Sequence, residues 1–199
     1  MRFSLEGLSD ALAAGVAEGL VAAGHQPGEP ADVAVVGVDL PVGTDVVDLS
    51  GAGWERTIAS IRGAFFAIRR AAASMTEREV GGRVLVLVPA HAIRPSRGCG
   101  AAAIAGSFLT TVGQVAAVEL GPKGIRVNVV AVGPLEGEAP ERVTEAVPTG
   151  RLVRPREVGD VCGLLAAAEA DVVNGAVVAV DGGYVVTKAL GGSPFTRPA

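Results

Sequence analysis

Three short valine-rich runs, DVAVVGV (residues 32–38), RVLVLV (83–88) and IRVNVVAV (125–132), alternate with long segments of helical periodicity. Nearly every position in these runs is apolar, which predicts strands buried on both faces rather than on one. The connections between them are too long for hairpins and are long enough for helical crossovers between parallel strands. A fourth run, residues 176–180, follows the turn signal Asn174-Gly175. The order strand, helix, strand, helix, strand, helix, strand predicts an α/β fold with a doubly wound parallel sheet. Ligands of such sheets bind at the carboxyl ends of the strands. Here those ends are the loops after Val38, Val88 and Val132.

The helical segments read clearly. Residues 7–23 carry Leu12, Val16 and Leu20 at helical spacing, with Ser9 or Asp10 as cap. Residues 54–75 present Ile58, Ile61, Phe65, Ile68 and Ala72 as one stripe, with Arg62, Arg69 and Arg70 on a solvated face. Residues 101–120 are rich in small side chains and stop at Gly121-Pro122. Residues 155–170 carry Glu157 in the first turn. Residues 133–150 hold three prolines and form a loop with room for one helical turn. No repeat or boundary divides the chain, so residues 1–192 are expected to form one domain, with 193–199 a loose tail.

Composition narrows the function. With 17 basic and 21 acidic side chains the net charge is −4, and no basic run marks a nucleic-acid or anionic-membrane surface. No apolar run approaches the ~18 to 20 residues that span a bilayer. The opening MRFSLEGLSD lacks a signal-peptide pattern, so the cytoplasm is the expected location. Cys99 and Cys162 stand far apart without metal-ligand spacing, and His25 and His91 stand alone, so neither a disulfide framework nor a metal site is expected. The chain has a single tyrosine, Tyr184, two lysines, Lys123 and Lys188, and two asparagines, Asn128 and Asn174.

From Asp32 to Thr187 the chain resembles the short-chain dehydrogenase/reductase family. GPKGIRVNVVAVG (121–133) is similar to the strand after that family's active-site helix. TGRLVRPREVGDVCGLL (149–165) resembles its following helix, VNGAVVAVDGG (173–183) its last strand, and DVAVV (32–36) an earlier one. The resemblance implies a Rossmann-like sheet, reduced on its N-terminal side. It also implies where chemistry should lie. The family's Tyr-x-x-x-Lys pair falls on Ala102 and Gly106, its Ser on Pro89 and its Asn near Ser60. Ala102 and Gly106 can supply neither the acid nor the ribose contact, Pro89 has no hydroxyl, and neither asparagine lies on the helix of Ser60. The Gly-rich phosphate turn is not found before Asp32, where Met1–Ser4 is the one stretch able to give a short strand.

These substitutions lead to the expectation of a non-catalytic family member without a cofactor. Its role would be structural or regulatory, in a homo-oligomer or with an intact relative, through helices 54–75 and 101–120 and strand 176–180. The alternative is an NAD- or NADP-dependent, ketoreductase-like oxidoreductase with an altered site, or a small-ligand carrier using the same cleft. For the enzyme, Gly98-Cys99-Gly100 opens a helix behind Arg94 and Arg97, so Arg94, Arg97, Gly98 and Gly100 are candidate phosphate contacts and His91 or Cys99 candidate proton sources. Tyr184-Val-Val-Thr-Lys188 matches Tyr-x-x-x-Lys literally, but it follows the last strand, and its β-branched residues disfavour the helical turn that the pair needs. Packing at a subunit interface is its expected role.

Overall fold

The buried runs pair side by side in one parallel sheet. A computed structural model describes residues 1–40 and 42–190. Its elements are β1 (Arg2–Glu6), α1 (Asp10–Ala22), β2 (Gln26–Pro27), β3 (Val33–Val36), α2 (Gly51–Glu77), β4 (Gly82–Pro89), α3 (Gly100–Leu120), β5 (Ile125–Val132), α4 (Pro155–Ala166), β6 (Val177–Val180) and α5 (Tyr184–Leu190). The sheet order is β2-β1-β3-β4-β5-β6, with every pair parallel. This is a Rossmann-like doubly wound sheet. The N-terminal stretch supplies more of it than the sequence suggested, because β1 lies inside the sheet, paired with β3 from Phe3 to Glu6. On its other side β2 covers only Arg2 and Phe3. The tail at 193–199 lies outside the described residues.

Alternation along each strand divides the core into two layers. Leu85 and Leu87 of β4 join Val16, Leu20, Val130 and Val158 beneath α1 and α4. Val84, Val86 and Val88 join Ile68, Met75, Leu109 and Val129 beneath α2 and α3. The stripe on α2 splits between two surroundings. Ile61, Ile68 and Ala72 are buried, while Ile58 and Phe65 are exposed together with Trp54 and Phe66, because none of the described residues covers that side of the helix. β6 is an edge strand and only half buried. One expectation about membranes changes: α3 with its following turn, Gly100–Lys123, is long and apolar enough to cross a bilayer by length and composition. It packs on β4 and β5, as a core helix does.

The two asparagines are spent on structure. Asn174 Oδ1 accepts from Val127 N at 2.9 Å, and its amide donates to Ala117 O at 2.9 Å. Asn128 Oδ1 accepts from Ala176 N, and its amide donates to Val173 O. Together they fix the turn that feeds β6.

β4 and β5 share an eight-residue register that ends at Pro89 opposite Val132, so their following loops leave the sheet side by side. The segment after β5 is anchored by a bridge between Leu135 and Val153 and leads into α4. Glu157 closes the start of α4. Its carboxylate accepts from the Arg154 backbone N at 3.0 Å and receives the Arg151 guanidinium at 2.7 and 2.8 Å. The Arg151 and Arg154 side chains hold this carboxyl well below the ordinary range. A depressed pKa gives stability that is present above the unfolded-state value of about 4.3 and is lost as pH falls through the folded value. Glu157→Ala should therefore cost about 1 kcal/mol at neutral pH, and the gap from wild type should close in strong acid. Urea unfolding at the two pH values checks both.

Candidate functional site

The loops after β3, β4 and β5 enclose a cleft of about 800 Å³ at the carboxyl ends of the strands, as parallel-sheet geometry requires. The turn after β1 and a lid from residues 134–143 complete its walls. Three of the positions that the family uses for chemistry converge on it or beside it. Pro89 and Ala102 line the cleft. Gly106 lies behind them, where a Cβ would come within 2.6 Å of Ala92 Cβ and 3.2 Å of Pro89 Cδ. The space for a larger side chain at 106 is closed. Ser60 lies elsewhere, on a groove between α2 and the ends of β1 and β3.

A different set of side chains occupies the cleft. Tyr184 lines it and is 6% exposed, packed with Ala90 and Val147. Its ring centroid is 6.1 Å from that of His91, with the planes at 83°. The Ser96 hydroxyl lies 3.2 Å from His91 Nδ1 and 3.3 Å from Cys99 Sγ. Tyr184, His91, Ser96 and Cys99 thus share one wall. Contrary to the sequence expectation, the segment around Tyr184 is helical. Asp181 starts α5 by accepting from Gly183 N at 2.8 Å and Val185 N at 2.9 Å, which outweighs the β-branched residues that follow. Lys188 stands one helical turn after Tyr184 on α5. The other cysteine, Cys162, is buried under α4, where desolvation pushes its thiol up to about 12 and makes it inert.

The phosphate candidates fare differently. Arg97 is held by Asp45 through contacts of 2.8 and 3.0 Å, beside a groove that also carries Asp48. Gly98 gives its carbonyl to Gly43 N at 2.7 Å, and Gly100 faces Val46. Arg94 lies exposed in the same loop. One arginine against two aspartates makes a poor anion site.

The start of α1 is where the family's dinucleotide would place its phosphates. Such a site needs open N–H groups and no competing carboxylate. Here the turn is only Gly7-Leu8-Ser9, and a Cβ on Gly7 would fall 2.3 Å from Gly37 O, so that glycine serves close packing. Ser9 caps Leu12 N, Asp10 opens the helix, and the Ser9 hydroxyl donates to Glu138 of the lid. The dinucleotide does not fit this terminus in the family's manner.

A family model described as enoyl-(acyl carrier protein) reductase matches residues 31–185. A chloroplastic NADPH-dependent aldehyde reductase-like protein of Arabidopsis thaliana is 31% identical over 150 residues, which are 70% of this chain and 55% of that protein. The (3R)-3-hydroxyacyl-CoA dehydrogenase of Mus musculus is 32% identical over 149 residues, 69% of this chain and 57% of that protein. The chain therefore spans little more than half the length of these relatives. Among solved structures, a short chain dehydrogenase from Bacillus anthracis is 29% identical with a TM-score of 0.70, covering 77% of this chain and 64% of that one. The 3-ketoacyl-(acyl-carrier-protein) reductase of Brucella melitensis, solved with NADH, has a TM-score of 0.84 at 15% identity over 92% of this chain and 98% of that one, a likeness of fold alone. These names correct the expectation of a non-catalytic subunit, since the matching proteins are named for reductase and dehydrogenase activities. They also give no support to the expectation that no cofactor is used.

Proposed function

The chain belongs to the short-chain dehydrogenase/reductase family, and on that premise we propose that it is an oxidoreductase of carbonyl or alcohol groups whose proton-handling residues occupy a new place in the cleft. One observation carries the reading. The single tyrosine of the chain is absent from the helix where the family keeps it, yet it returns to the same cleft on α5. Reduction of a carbonyl needs a proton at its oxygen, and the Tyr184 phenol is placed to donate it. His91 flanks the phenol, and Ser96 fixes the His91 ring through Nδ1. Reversal of the same transfer serves alcohol oxidation.

NADPH or NADH is the proposed redox partner, a cofactor class that the names of the relatives support. The carboxylates at α1 oppose its phosphates, so the affinity should be low. Asp10→Asn combined with Glu138→Gln should lower the KM for NADPH about thirtyfold, since each of the two removed charges weakens a repulsion near 1 kcal/mol. Steady-state assays over a panel of aldehydes and ketones test the reading. Absence of turnover in both wild type and double variant, with either cofactor, overturns it. We also propose that two copies pair through the exposed apolar side of α2 and α3, which carries Phe65, Phe66 and Phe108.

A further inference from the structure

The lid and the start of α1 are tied together across the mouth of the cleft. Residues 134–143 leave the sheet after β5 and turn back toward α4. The first base of this segment is fixed, since Val153 N donates to Pro134 O at 2.9 Å and Glu136 N donates to Val153 O at 2.8 Å. The far base is fixed too. Val147 is buried in a cluster with Ala90 and Tyr184, and Thr149 N donates to Gly182 O at 3.2 Å. Between the bases the segment buries little of itself: Glu136, Gly137, Glu138, Pro140, Glu141 and Arg142 are exposed. A segment with so little burial opens readily unless a specific bond holds it.

Such a bond joins the lid to α1. The Ser9 hydroxyl donates to the Glu138 carboxylate, from a position 129 residues away in sequence. Hydrogen bonds to an ionised acceptor are the stronger kind. The Ser9 oxygen is also held in place, because it caps α1 by accepting from Leu12 N. Leu8 and Leu12 on the α1 side line the same cleft as Pro140 and Val143 on the lid side. The contact therefore draws two apolar walls together, and the N-terminus of α1 is satisfied from within the chain.

We propose that Ser9 and Glu138 form a latch that keeps residues 134–143 closed over the cleft without help from a bound ligand. The latch regulates the cleft that is read above as the oxidoreductase site, and its purpose rests on that reading. Its test uses no turnover.

The test is limited trypsin digestion of the intact chain in native buffer. Mass spectrometry follows cleavage after Arg142 in the lid and after Arg69 on α2, both exposed, the second reporting opening of the fold as a whole. Ser9→Asp keeps a good helix cap but sets a second carboxylate against Glu138. It should speed cleavage after Arg142 about tenfold and leave cleavage after Arg69 unchanged. Glu138→Ala changes an exposed lid residue without touching α1 and should match that rise. Adding Glu138→Gln to Ser9→Asp supplies an amide donor for the new carboxylate, and should return the rate to within about threefold of wild type. Unchanged cleavage after Arg142 in Ser9→Asp and Glu138→Ala overturns the latch. A rise that the added Glu138→Gln fails to reverse also overturns it, because α1 and not the contact is then the cause. A latched lid on a chain that turns over no carbonyl keeps this proposal and sinks the oxidoreductase reading. Turnover by a chain whose lid is not latched does the reverse.

Discussion

Tyr184→Phe should lower turnover between about a hundredfold and ten-thousandfold while the chain still folds cooperatively. The size follows from what a positioned proton donor contributes, and the specificity follows from the packing. The Tyr184 ring contacts Ala90 and Val147, contacts that a phenylalanine keeps. Only the hydroxyl is lost. The loss should appear in kcat more than in KM, because the proton moves in the transition state and not on binding. A variant with wild-type kcat removes Tyr184 from the chemistry. His91→Ala provides a graded comparison: on the proposed reading His91 supports the phenol through their edge-on ring contact, so its loss should cost less than Tyr184→Phe, whereas an equal loss would make His91 the proton source.

Gly19→Ala should destabilise the protein by about 3 kcal/mol, near the upper end for an overpacked core. α1 and α4 meet backbone to backbone. A Cβ on Gly19 would lie 2.2 Å from the Gly159 carbonyl carbon and 2.5 Å from Asp160 N. No side-chain rotation relieves a clash with backbone, so one helix must move and uncover Val16, Leu20 and Val158. Gly63→Ala on exposed α2 has nothing within 4 Å and should stabilise by up to about 1 kcal/mol through helix propensity. Opposite signs from the same chemical change isolate the close approach as the cause. Denaturant midpoints of the two variants measure it, and equal effects would refute the account.

The central strands were legible because burial on both faces leaves a signature that little else produces. β3, β4 and β5 each read as an uninterrupted valine-rich run. β1 was harder, since Arg2, Ser4 and Glu6 interrupt it, and it lies near the sheet edge where β2 covers only two residues. The closed space around Gly106 depends on the approach of Ala92 and Pro89, and no local pattern reveals that. The helix at Tyr184 is hidden for a different reason. Val185 and Val186 argue against it, whereas the deciding residue is Asp181, whose carboxylate caps the turn. The position of Tyr184 was available in principle. All strands run parallel, so a residue shortly after β6 emerges at the same edge as the ends of β4 and β5. Ser96 left no sequence signal, because its meeting with His91 depends on how the loop after β4 folds back.

The position of Tyr184 beyond β6 also separates scaffold from the proposed reactivity along the polypeptide. Every strand among the described residues, and both helical layers, lie within residues 2–180, and the phenol rides on the segment that follows. On the proposed reading, a single proteolytic nick between Val180 and Tyr184 would part the proposed proton donor from the scaffold while leaving the sheet hydrogen bonds in place. An irreversible inactivation of that kind would yield a folded, silent protein rather than an unfolded one.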